Sequence, residues 1–193
     1  QIFWDRLIRD GVAEFLSSSK KIGPNITAKV NFESTYAGMK TVLNSMNSNE
    51  GFEINIYLNS SVGDGIQANN PWLQEMPDPV SKVCWDNYLS VNPKDASSLN
   101  INSDPGLMST NLLTIKVNGS EYDIPAIIQP GQAEGTMGLA LGYGRKLAGP
   151  VGDNVGFNAF HLTDSSNKNQ KLIINNIDVS NSGKDYRIAQ TQT

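Results

Sequence analysis

The spacing of apolar positions changes along the chain, and the change divides it in two. In the first part, Ile2, Phe3, Leu7, Val12, Phe15 and Leu16 recur near every 3.6 residues. This predicts a helix over Ile2 to Leu16, weakened by Gly11. Ile26, Ala28, Val30 and Phe32 alternate, predicting a strand with one buried face. Ser34 or Thr35 is placed to cap a second helix, with Tyr36, Met39, Val42, Leu43 and Met46 as a core-contact stripe. Phe52, Ile54, Ile56 and Leu58 alternate most cleanly of all. Residues 1–60 therefore read helix, strand, helix, strand: the end of an α/β portion with a candidate parallel pair.

From Leu112 onward the period is two. Leu113, Ile115 and Val117 alternate, Asn118-Gly119 is a tight-turn dipeptide, and Tyr122, Ile124 and Ala126 alternate back, which predicts a hairpin. Met137 to Leu141 is a short apolar run. Val155 to Leu162 and Leu172 to Val179 predict two further strands, and Tyr186 to Ala189 begins a last one. Short strands broken by Gly and Pro point to a closed barrel rather than an open sheet. No internal repeat is visible.

Between these parts lies Asn69 to Asp95, with two of the three tryptophans, several prolines and the single cysteine. Its prolines argue against a helix or a central strand, because each removes a backbone donor and restrains the residue before it. Its large apolar side chains argue against a solvated linker. The expectation is an extended strap over a core, anchored by Trp72 and Trp85. Pro93 to Leu99, at its end, predicts one short helix.

Composition narrows the classes of function. The 193 residues hold 15 Lys and Arg against 19 Asp and Glu, a net charge of −4, which lacks the basic stripe a nucleic-acid surface needs. No apolar run is long enough to span a membrane. One cysteine, Cys84, excludes an intrachain disulfide and a cysteine-ligated cluster, and Val83 and Trp85 beside it suggest an inert buried thiol. The one histidine, His161, is expected at a strand end. There is no starting Met and no signal peptide, and the chain reads as a domain cut from a longer protein.

Nucleophile signatures are absent, and Glu75 and Asp78 around Pro77 read as loop acids. Sequons at Asn25, Asn59 and Asn118 fit chance in an Asn- and Ser-rich chain. Gly135-Thr136-Met137-Gly138 and Gly142-Tyr143-Gly144-Arg145 have the look of phosphate-cradling loops. Neither has the spacing of a nucleotide-binding motif, and glycines at strand ends are most often bends. Arg145 and Lys146 are the local positive charges for a phosphate.

The order of residues carries more than their types. Asn69-Asn70-Pro71-Trp72-Leu73-Gln74-Glu75-Met76-Pro77-Asp78-Pro79-Val80, then Lys82 and Trp85-Asp86-Asn87-Tyr88, resembles the corresponding stretch of molybdopterin oxidoreductase-like proteins. Within them it is most similar to the large iron–sulfur subunit of alternative complex III, a bacterial quinol-oxidising assembly. Gln129-Pro130-Gly131-Gln132-Ala133, Gly135-Thr136 and Gly138 to Arg145 form a second matching block, and Ala189 to Thr193 a third. The resemblance spans Trp4 to Thr193.

It implies a double-psi β-barrel over residues 61–193, including the strap 69–95, after a short α/β segment over 1–60. In catalytic members that barrel closes over molybdopterin guanine dinucleotide, so the resemblance implies Gln129, Gly131, Gln132, Gly135, Thr136, Gly142, Gly144 and Arg145 as cofactor-binding candidates, functional or vestigial. In the alternative complex III subunit this half is thought to carry no molybdenum, and the iron–sulfur clusters sit in a ferredoxin-like part beyond it. The resulting expectation is a non-catalytic structural domain with no resident cofactor, metal or catalytic residue. Its partners would be the ferredoxin-like domain and other subunits of a respiratory complex, on the periplasmic side of a bacterial inner membrane. The alternatives are a functional dinucleotide-binding domain of a molybdoenzyme, or an extracellular β-rich binding module.

Overall fold

A computed structural model describes residues 2–11, 31–46, 51–102, 109–163 and 172–191. The chain divides into two compact units, Gln1–Val42 and Leu43–Thr193.

The first unit holds α1 (Ile2–Asp10) and most of α2 (Phe32–Met46). In α1, Asp5 in the first turn and Arg9 in the last both suit the helix dipole. The predicted continuation of α1 to Leu16 and the strand from Ile26 lie outside the described residues, except that Phe32 is helical. α2 starts before Ser34 because Asn31 caps it: the Ser34 amide donates to Asn31 Oδ1 at 3.2 Å. The Ser34 and Thr35 hydroxyls, expected as caps, instead donate back to the Asn31 carbonyl at 3.1 and 2.9 Å. Tyr36, Met39 and Leu43 are exposed, so the stripe is not the core contact its spacing suggested.

In chain order the second unit contains β1 (Phe52–Tyr57), α3 (Pro71–Glu75), β2 (Val83–Cys84), β3 (Leu89–Val91), α4 (Pro93–Ser98), β4 (Ser109–Val117), β5 (Ser120–Ile128), β6 (Thr136–Ala140), a 3-10 helix (Ala159–Leu162), β7 (Ile173–Arg187) and β8 (Ala189–Gln190). Six of the strands close a barrel in the order β1-β6-β3-β5-β4-β7. The β1/β6 and β3/β5 pairs are parallel, and the remaining pairs are antiparallel.

This order contains a two-fold repeat of topology that the residues do not announce. The first half runs β1, β3, α4, β4; the second runs β5, β6, 3-10 helix, β7. The first strand of each half lies parallel to the second strand of the other. The two second strands pair with each other, as do the two third strands. Every ladder of the barrel joins one half to the other.

Alternation explains the core. Leu113, Ile115 and Val117 of β4, Ile54 and Ile56 of β1, and Leu89 and Val91 of β3 all point inward. Ala96 of α4 and Ala159 and Leu162 of the 3-10 helix join the same cluster, so each half contributes a short helix as a plug. The hairpin falls where predicted, with Asn118 at φ 50° and Gly119 at φ 77°, the left-handed pair that a two-residue turn requires.

Several expectations are corrected. β1, assigned to the α/β portion 1–60, is a barrel stave, and Leu58, beyond its end, is exposed. The strap is not simply extended: it contains α3, β2 and β3, and β3 is a central stave. Its prolines mislead because Pro71 and Pro93 stand at the first positions of α3 and α4, where no amide donor is needed. Asn70 and Asn92 cap those helices. Val155 to Leu162 is not a strand. Gly156 at φ 75° breaks it, and Asn158 caps the 3-10 helix that carries His161. Tyr186 lies near the end of β7 rather than opening a strand, while Ala189 and Gln190 of β8 pair with β2.

A candidate cleft beside Arg145

Strand β6 separates the residues implied as a single cofactor site. Gln129, Gly131, Gln132, Gly135 and Thr136 sit at or before its start, and Gly142, Gly144 and Arg145 follow its end. Five strand residues span roughly 16 Å.

The polar atoms at the first end are bound inward. Ser90 Oγ donates to Gln132 Oε1 at 3.2 Å, and Gln132 Nε2 donates to Thr136 Oγ1 at 3.0 Å. Asn92 Nδ2 donates to the Gln132 carbonyl at 2.6 Å, and the Gly135 amide donates to Asp95 Oδ2 at 2.8 Å. The Gln129 amide bonds the Val91 carbonyl at 2.8 Å. β3 and α4 thus tie down this turn.

At the second end the glycines answer to close packing. A Cβ on Gly142 would lie 2.9 Å from Val62 Cγ2 and 3.0 Å from the Gly65 amide. A Cβ on Gly144 would lie 2.6 Å from the Phe157 carbonyl carbon. Both residues have positive φ as well. Protein atoms fill the space a ligand would need against these two glycines.

Tyr143, between them, is buried, and its hydroxyl accepts from Asn59 Nδ2 at 3.0 Å. Burial raises its pKa above the usual phenol value. The Asn59 sequon is therefore committed to an internal bond.

Arg145 differs from its neighbours. Its Nη1 donates to Asn69 Oδ1 at 2.9 Å, while its Nη2 is enclosed with no acceptor. Among the described residues no carboxylate pairs with it. Burial lowers its pKa from the usual guanidinium value. The side chain borders two cavities. One, of about 230 Å³, is lined by Ala68, Trp85, Tyr143, Pro150, Val151 and others. The second, of about 420 Å³, is more open and bordered by Asp64, Lys146, Leu147 and Phe160.

Trp85 forms a wall of the smaller cavity with its backbone at φ 68°. A bulky residue in that conformation is strained. The Trp85 amide donates to the Gln74 carbonyl at 2.9 Å, and the flanking residues hold the chain in place. Asp86 Oδ1 accepts from the Gly156 amide and from the Tyr186 hydroxyl, each at 2.9 Å. Burial raises the Asp86 pKa from its ordinary value, and these two donors oppose the rise. Asn87 Nδ2 donates to the carbonyls of Ala140 at 2.7 Å and Phe157 at 2.9 Å, and its Oδ1 accepts from the Phe157 amide at 2.7 Å. One buried amide thereby joins the strap, the end of β6 and the glycine loop. Sequence reasoning gave Asp86 and Asn87 no role. The available signal was two polar residues set between Trp85 and Tyr88.

The other candidates are structural. Cys84 is buried, its thiol donates to the Glu75 carbonyl at 3.3 Å, and burial raises its pKa. Asp78 Oδ1 accepts from the Val80 and Ser81 amides at 2.9 and 2.8 Å, closing a turn. Glu75 is exposed. The His161 ring stands edge-on to Phe157. Among the described residues no cluster of His, Cys, Asp and Glu suits a metal ion, and no helix is long and apolar enough to cross a membrane.

No protein-family model matches the chain, and no curated protein matches it. The residues implied for a pterin dinucleotide differ in what they leave free for a ligand. Gln132 and Thr136 are spent on each other, and Gly142 and Gly144 face protein. Gly131 and Gly135 border open space, and Arg145 keeps one guanidinium nitrogen without an acceptor.

Proposed function

We propose that this chain is the double-psi-type barrel of a molybdopterin oxidoreductase-like iron–sulfur subunit, serving as a non-catalytic structural domain. Its setting is a respiratory quinol-oxidising complex on the periplasmic side of a bacterial inner membrane. Its partners are a following ferredoxin-like domain and neighbouring subunits, and the iron–sulfur clusters lie outside it. The observation that carries the reading is the interlocked strand order, with the first strand of each half parallel to the second strand of the other. A non-catalytic role is supported by Gly142 and Gly144, whose Cβ positions meet protein atoms rather than open space. Exposed Ile66, Trp72, Met76 and Val80 around the strap suit a domain that packs against others.

A second reading keeps the barrel as a functional dinucleotide-binding domain, and the acceptor-less Nη2 of Arg145 favours it. Molybdenum analysis and pterin fluorescence on the full-length protein isolated from its host separate the two. The structural reading expects neither molybdenum nor pterin in stoichiometric amount, and one molybdenum per chain overturns it. The family itself is tested by the sequence that follows Thr193, where closely spaced cysteines for clusters are expected.

A further inference from the structure

The smaller cavity beside Arg145 combines three features that packing alone does not require. Arg145 is the one charged residue in its lining, and the rest of the lining is neutral. The guanidinium holds Nη1 on Asn69 but leaves Nη2 enclosed without an acceptor, an unfavourable arrangement for a charged donor. Trp85 is kept in a left-handed backbone conformation, and its side chain forms part of the wall. Such strain persists where the surrounding structure holds it, and it clusters at ligand sites.

We propose that this cavity binds a small organic monocarboxylate with an aromatic or branched apolar body. The body packs against Trp85, Pro150 and Val151. The carboxylate meets Arg145, whose guanidinium turns from its enclosed position to offer a charge-assisted pair of donors. One positive charge in a neutral lining matches one negative charge. A phosphate monoester would need a second cation, but Lys146 borders only the outer cavity. At about 230 Å³ the space falls below the range for drug-sized ligands and suits a single ring with a short acid arm. This site is independent of the structural role proposed above, because it requires neither a pterin nor a partner subunit.

The test is a calorimetric titration of the full chain with phenylacetate, benzyl alcohol and phenyl phosphate, with tryptophan fluorescence followed in parallel. Phenylacetate should bind saturably and change the emission, and benzyl alcohol should bind at least about tenfold more weakly. Arg145→Gln should weaken phenylacetate by about tenfold or more and leave benzyl alcohol unchanged. Arg145→Lys should restore part of the loss, which separates a charge effect from misfolding. Trp72→Phe should leave both binding and the emission change intact. Absence of saturable phenylacetate binding overturns the proposal, as does equal binding in Arg145→Gln. Tighter binding of phenyl phosphate overturns the monoanion assignment.

Discussion

Asn87 is the residue on which three segments converge. It is almost completely buried, and its side chain satisfies two carbonyls and one amide from the end of β6 and the loop before the 3-10 helix. Replacing it with Asp keeps the shape but removes both donors and buries a charge. Asn87→Asp should lose about 3 kcal/mol or more of unfolding free energy, measured in denaturant. A loss below about 1 kcal/mol would mean that water takes over these bonds. Asp86, its neighbour, makes the opposite case. Its pKa is raised in the folded state because burial outweighs its two donors. A raised carboxyl favours the protonated form in the fold. Its stabilising contribution is complete below the unfolded carboxyl range near pH ~4 and is lost as pH rises through the folded value. Asp86→Asn should therefore flatten the decline of stability from mildly acid to neutral pH, and at neutral pH it should be as stable as the native chain or more so. An unchanged pH slope in the variant would contradict the assignment.

At the scale of the element, the strap divides into an anchored part and an exposed part. Val83, Tyr88 and Ile188 form a small cluster with Ile127, outside the barrel core, and this covers the outer face of β5. Leu89 and Val91 continue the strap into the barrel itself. Trp72, by contrast, is 79% exposed. Trp72→Ala should shift stability by no more than about 0.5 kcal/mol, as substitutions at open surface sites do. A large drop in melting temperature would show that this tryptophan anchors the strap after all. The two tryptophans look alike in sequence, but Trp72 lies in α3 and faces solvent, whereas Trp85 follows β2 with a positive φ and lines the cleft. The hairpin was legible because Asn118-Gly119 dictates its own turn. β3 was not, because three residues are too few to show a period, and the neighbouring prolines disguised it. The break at Gly156 was equally hidden, since Val155 to Leu162 is apolar enough to pass for a strand. For the cleft, the glycines and Arg145 were visible in sequence, but the grouping was not. No local pattern shows that Gly65 backs onto Gly142 so closely that a Cβ on Gly65 would lie 2.8 Å from the Gly142 Cα.

For the whole molecule, the decisive fact is that every barrel ladder joins one half to the other. A repeat of topology without a repeat of residues has a physical basis. Each half needs only apolar alternation at matching positions, and many side chains meet that need. Neither β1, β3 and β4 nor β5, β6 and β7 pair among themselves, so neither half has a sheet of its own to fold around. Even the hairpin at Asn118-Gly119 is a contact between halves. Loop-closure entropy must therefore be met before most of the core forms, which places this barrel among slowly folding topologies. The consequence is testable by dividing the second unit at that turn. Fragments 43–118 and 119–193 should each lack cooperative unfolding alone. When mixed, they should regain the strand signal in far-ultraviolet circular dichroism. Both tryptophans of this unit, Trp72 and Trp85, lie in the first fragment. Trp72 is open to solvent and Trp85 lines the cleft against Gly152 and Val155. An ordered near-ultraviolet tryptophan band should therefore appear only when the second fragment supplies that wall. A cooperative melt from either fragment alone would show that a half folds without its partner, and the interlocked order would then be a result of folding rather than its condition.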